Sequence, residues 1–117
     1  MNQNIINQYK ISLVNKLINI PGESSFYTKV ISTNNIYLTD FLMEWNAEEI
    51  NEYLIPEIDK VLNGNELEFE TGSETTTMTI GPINTIFFID NVGTDYPQIP
   101  TPDLREIVIG WKEYLES

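Results

Sequence analysis

Apolar residues recur along this chain with two periods, one helical and one of two, and the switches between them mark out its elements. Over residues 4–19, Ile6, Tyr9, Leu13 and Leu17 stand three or four apart, which is the spacing of one helix face. The alternation Tyr9, Ile11, Leu13 also permits a strand there, so helix and strand both stay open for this segment. Pro21 and Gly22 end the pattern. "SFYTKVIS" (25–32), rich in aromatic and β-branched residues, predicts a strand. "TNN" (33–35) predicts a turn, and "IYLTDFL" (36–42) the returning strand of a hairpin.

From Asn46 the period is helical. Asn46 suits an N-cap, with Glu49 three residues on as its capping-box partner. Ile50, Leu54, Ile58, Val61 and Leu62 form an apolar stripe, and Gly64 supplies a left-handed stop. Pro56 lies inside this helix. It has no amide for the Glu52 carbonyl and disfavours helical backbone at Ile55, which predicts a kink or a break.

Three strands are predicted next. "ELEFET" (66–71) alternates Leu67 and Phe69 with Glu66, Glu68 and Glu70, and "TTTMTIG" (75–81) puts Thr76, Met78 and Ile80 on one face. "NTIFFID" (84–90) is nearly continuous apolar, the pattern of a central strand buried on both faces. Residues 90–100 read as irregular. In the last helix Thr101 is expected to cap and Pro102 to take the first position. Leu104, Ile107, Val108, Trp111 and Leu115 form the stripe, and Gly110 is expected to pack closely on a strand.

The expected order is therefore α-β-β-α-β-β-β-α. It is an α+β fold, with an antiparallel sheet of about five strands and three helices packed on it. A length of 117 residues without an internal repeat suits one domain, 1–117.

Charge changes this picture more than composition does. The net charge is −12. Residues 1–35 carry Lys10, Lys16 and Lys29 against Glu23, whereas residues 36–100 carry thirteen carboxylates against Lys60 alone. The acid belongs to the middle of the chain. Such a field repels nucleic acid and anionic lipid and attracts basic proteins, although solubility alone also accounts for it. The expectation is a basic protein partner, with no direct nucleic-acid binding and no membrane. No apolar stretch approaches the ~18 residues of a membrane span, and "MNQNIINQYK" lacks the pattern of a signal peptide.

Candidate chemistry is sparse. The chain has no His and no Cys, so it lacks the commonest general base, the imidazole and thiolate metal ligands, the thiol nucleophile and disulfides. No phosphate loop or nucleophile elbow is present. Glu68 and Glu70 could pair as catalytic carboxylates, but alternation puts them on a solvated strand face. Asp90, Asn91 and Asp95 could approach a calcium ion, yet lack the EF-hand spacing. The expectation is therefore no catalytic residue, no metal and no cofactor. The partner-binding candidates are Asp40, Glu44, Trp45, Glu48, Glu49, Glu52 and Tyr53, with Asp95 and Tyr96 in the loop before Pro97. Aromatic rings among carboxylates have the composition of an interface hot spot for a basic partner.

"FLMEWNAEEINEYL" (41–54), the acidic middle and the ending "PTPDLREIVIGWKEYLES" (100–117) resemble the small acidic immunity proteins of bacterial polymorphic-toxin systems. The resemblance implies a cytoplasmic, non-enzymatic protein that binds one cognate toxin, often a basic nuclease, and occludes its active site. It fixes no contact residue. Two other classes remain. One is a mobile-element inhibitor that mimics nucleic acid, for which Glu66, Glu68 and Glu70 give only three charges in a row. The other is a small ligand-binding domain, which requires a pocket with convergent polar groups.

Overall fold

The computed structural model describes residues 1–72, 76–88 and 96–117. Among these are four helices and six strands. In chain order they are α1 (Gln3–Tyr9), β1 (Ser12–Ile18), β2 (Phe26–Ser32), α2 (Ile36–Met43), α3 (residues 47–62), β3 (Phe69–Gly72), β4 (Thr77–Ile80), β5 (Asn84–Phe88), β6 (Gln98–Pro100) and α4 (Thr101–Glu116). The fold is mixed α+β. It has not one five-stranded sheet but two antiparallel sheets, β1-β2 and β3-β4-β5-β6.

Both readings of residues 4–19 hold, each for half of the segment. The Asn2 side chain caps α1, and Lys10 ends it in the left-handed region at φ 51°. The chain then enters β1, which pairs with β2 from Ser12↔Ser32 to Ile18↔Phe26. The hairpin partner of β2 therefore precedes it, and the expected returning strand at 36–42 is a helix instead. Two local features explain this. The Asn35 side chain accepts from the amides of Tyr37 (3.0 Å) and Leu38 (3.2 Å), and Leu38, Phe41 and Leu42 share one buried face at helical spacing. Strand propensity in aromatic and β-branched residues is weak beside a cap and a core contact.

The capping box at Asn46 and Glu49 forms as expected. Helix α3 does not break at Pro56. It is α-helical over Ala47–Glu49, π-helical over Ile50–Leu54 and α-helical again over Ile55–Leu62. The Ile55 amide donates to the Ile50 carbonyl, so the turn before Pro56 is widened by one residue. The helical backbone then runs on through Pro56 to Leu62. Gly64, at φ 78°, ends the helix.

The four-stranded sheet is covered by helices on one face. By register that face carries Phe69, Thr71, Met78, Ile80, Thr85, Phe87 and Ile99. Met78, Ile80 and Phe87 are fully buried together with Leu38, Phe41 and Leu42 of α2, Ile50, Leu54 and Ile58 of α3, and Leu104, Ile107 and Val108 of α4. The other face carries Glu70, Thr77, Thr79, Ile86, Phe88 and Gln98. The β5 strand is interior in the sheet yet buried on one face only: among the described residues no helix covers the side of Phe88, which stays 37% exposed. Leu67, expected on a strand opposite the glutamates, precedes β3 and is 92% exposed. Part of the expected irregular stretch is strand β6, and residues 89–95 lie outside the described residues.

Helix α4 begins one residue earlier than expected. Thr101 is its first residue and Pro102 its second, with Pro100 at the cap. The Thr101 hydroxyl turns away from the helix amides. It donates to the Gly81 carbonyl (2.6 Å) and lies 3.0 Å from the Thr85 hydroxyl, tying the helix start to the β4–β5 turn. Trp111 is buried, with its indole N–H on the Leu42 carbonyl at 3.0 Å. Gly110 packs against the Met1 side chain, not a strand; a Cβ there would stand 3.1 Å from the Met1 Cβ.

Candidate functional site

The candidate surface starts at the end of α2 and runs through the first half of α3. Asp40, Glu44, Glu48, Glu49 and Glu52 are all exposed. Among the described residues none of these five carboxylates forms an ion pair. In contrast, Glu57 and Glu66 meet Lys60, Asp59 meets Arg105, and Glu116 meets Lys112. Glu49 is committed in part to the fold, since its Oε1 accepts the Asn46 amide at 3.2 Å while Asn46 accepts the Glu49 amide at 2.8 Å. Glu48 and Glu49 also sit in the first turn, where the positive end of a helix favours negative charge. The remaining field is unbalanced and faces solvent.

The aromatics form one continuous row beneath it. Phe41, fully buried, contacts Trp45 with ring centroids 5.7 Å apart. Trp45 stacks on Tyr53 at 6.0 Å and 16°, and Tyr53 meets Phe69 edge-on at 5.7 Å. Trp45 is half-buried and Tyr53 is 50% exposed. The row therefore leads from the core to the surface, and its outer ring is held in place by neighbours on both sides. Rings held rigidly in this way lose little conformational freedom when a partner covers them. Phe69 is the member that sequence reasoning missed. Alternation in "ELEFET" marks it as an inward residue and says nothing about meeting Tyr53.

Tyr96 does not join this surface. Asp95 lies outside the described residues. The Tyr96 ring is half-buried against Phe88, with centroids 4.9 Å apart. Phe88 is on the sheet face opposite to Phe69, so the sheet separates Tyr96 from the α2–α3 patch. Among the described residues no group of three or more His, Cys, Asp or Glu could hold a metal ion. Asp90 and Asn91 also fall outside them.

A separate open groove of about 520 Å³ lies between α1, the start of α2 and β6, lined by residues such as Gln8, Asn34, Tyr37 and Gln98. None of its lining side chains is charged. At its edge the Tyr9 phenol donates to Asp103 Oδ2 at 2.5 Å. Burial, then this bond and the Asp103 charge, hold the phenol well above its ordinary pKa. Arg105 Nε donates to Asp59 Oδ1 at 2.6 Å, and this bond raises the guanidinium pKa, joining α4 to α3.

No protein-family model, curated protein or solved structure matches this chain. Among the described residues, no helix is long and apolar enough to cross a membrane.

Proposed function

We propose that this chain is a non-enzymatic, acidic protein-binding inhibitor, and specifically a cytoplasmic immunity protein that occludes the active site of a basic toxin. One observation carries the reading: five exposed carboxylates, without ion-pair partners among the described residues, lie beside an aromatic row anchored in the core. A basic partner gains steering from the unbalanced field and affinity from Trp45 and Tyr53. The lack of His and Cys accords with a role that needs no nucleophile or imidazole base.

The test is co-expression with the product of the adjacent gene. The wild-type chain is expected to bind that product and relieve growth arrest. Changing Glu44, Glu48 and Glu52 together to Lys, with the capping Glu49 left intact, is expected to weaken binding by about 100-fold or more. An innocuous neighbouring product, or unchanged binding by the triple variant, rejects the reading.

The uncharged groove between α1 and β6 favours a second reading, a domain for a neutral hydrogen-bonding ligand. Its volume lies within the ~300–1,000 Å³ of small-molecule sites. Thermal shift against a panel of neutral saccharides and amides tests it. No shift for any compound, or a shift that survives Asn34→Leu with Gln98→Leu, removes it.

A further inference from the structure

The uncharged groove follows a strand edge. Pro97 and, in β6, Gln98 and Ile99 line it, and among the described residues no residue of β5 does. Successive side chains of a strand point to opposite faces, so a groove that meets three residues in a row runs along the edge and not over a face. That edge is the outer one, since β6 ends the order of the four-stranded sheet.

The pairing of β5 with β6 decides what the edge offers. The Phe87 amide donates to the Pro97 carbonyl at 2.9 Å, and the Thr101 amide to the Ile83 carbonyl at 2.9 Å. Thr85 stands opposite Ile99, and Ile86 opposite Gln98. Hydrogen-bonded and non-hydrogen-bonded pairs alternate along an antiparallel ladder, so Gln98 falls in a non-hydrogen-bonded pair. Its amide N–H and its carbonyl both point away from β5. Neither makes a hydrogen bond among the described residues. Pro97 and Pro100 have no amide, and the Ile99 amide faces β5. Gln98 is therefore the one outward main-chain donor from Pro97 to Pro100. The side chains of Gln8 and Tyr37, across the groove, are neutral and likewise make no hydrogen bond among the described residues.

We infer that the groove takes an uncharged stretch of extended peptide, one residue of which pairs with Gln98 by exchanging two main-chain hydrogen bonds. The inference rests on the reading of this groove as a ligand site and names its ligand. Peptide main chain is neutral and carries a donor and an acceptor on each residue, which is what the edge at Gln98 requires of a partner. A charged group would give up hydration here without meeting an opposite charge. The two prolines limit the added strand to one pair, so the edge accepts a short segment and does not template a longer sheet.

NMR titration of the full, nitrogen-15-labelled chain with the blocked tripeptide acetyl-Val-Thr-Val-amide tests this. The Gln98 amide signal is expected to shift and to saturate. Methylating the threonine nitrogen of the peptide is expected to weaken binding about tenfold, by removing one of the two exchanged bonds. On the protein, Gln98→Pro removes the outward donor while leaving the ladder bonds of β5 and β6 in place, and is expected to weaken binding about tenfold as well. Gln98→Ala keeps the donor and is expected to bind within about threefold of wild type. The amide signals of Phe87 and Thr101 report whether Gln98→Pro keeps its sheet; where they move, the methylated peptide against wild type decides by itself. Equal binding of the methylated and unmethylated peptides overturns the inference, as does tighter binding of the unblocked, zwitterionic tripeptide. No peptide binding beside a thermal shift with a neutral saccharide overturns it too and leaves the groove standing as a ligand site. No binding of any neutral compound removes both.

Discussion

The helix-covered sheet and the β1–β2 hairpin are built from similar residues and end in opposite conditions. In the first, Phe41, Phe87, Met78 and Trp111 lie between layers and are almost wholly buried. In the second, Phe26 and Tyr27 are large and apolar too, yet water reaches about half of each or more. The residue types do not differ; the third layer does. A sheet with helices on it buries most of its inward residues, whereas a two-stranded ribbon has chiefly its root against the body. That root is Ile31, fully buried, and Lys29, whose Nζ donates to the carbonyls of Tyr114 (2.9 Å) and Leu115 (3.3 Å) at the end of α4.

The sharpest way to break this contrast is to truncate one aromatic on each side. Trp111→Ala leaves a cavity and removes the indole donor to the Leu42 carbonyl, and is expected to destabilise by about 3–5 kcal/mol in denaturant melts. Tyr27→Ala is expected to fall within about 0.5 kcal/mol of wild type. Comparable losses would show that the hairpin is as well packed as the core. A smaller effect is expected at the buried Thr85–Thr101–Gly81 link. Thr101→Val strips partners from a buried hydroxyl and a carbonyl, for about 1–3 kcal/mol, read as a lower midpoint at unchanged slope.

The Tyr9–Asp103 bond joins α1 to α4, and its effect depends on pH. In the folded chain the phenol is held above its ordinary value of 10.0, so the native state keeps a proton that the unfolded chain releases. Its contribution is full below pH 10 and is lost as pH rises beyond it. Tyr9→Phe is expected to cost about 1 kcal/mol at neutral pH and to flatten the alkaline decline relative to wild type. An identical slope above pH 10 in both proteins would remove this bond from the account. A small effect is also expected at Arg105 and Asp59, each more than a third exposed. Arg105→Ala is expected to change stability by less than about 1 kcal/mol, and a double-mutant cycle with Asp59→Ala measures the pair alone.

Legibility followed how local the signal was. The capping box at Asn46, the stop at Gly64 and the stripe of α4 depend on neighbours in sequence, and all three stand in the structure. The segment 36–42 carries aromatic and β-branched residues that favour a strand, and the Asn35 cap that makes it a helix has the composition of a turn. The candidate site divided in the same way. Exposure of the carboxylates on α3 was readable from helical spacing. The separation of Tyr96 from them was not, because it depends on which sheet face each strand presents.

The sequence by itself determined the α+β class, the antiparallel strands, the concentration of acid in the middle of the chain and the absence of imidazole and thiol chemistry. These follow from periodicity, connection length and composition. Tertiary structure alone decided that β2 pairs backward with β1, that the helix runs on through Pro56 and that Phe69 completes the row from Phe41 through Trp45 and Tyr53. Each of these depends on contacts between residues far apart in the chain or on a choice among backbone geometries, and the physical reason is the same. Local preference is worth a few tenths of a kcal/mol per residue, while closing a core is worth several.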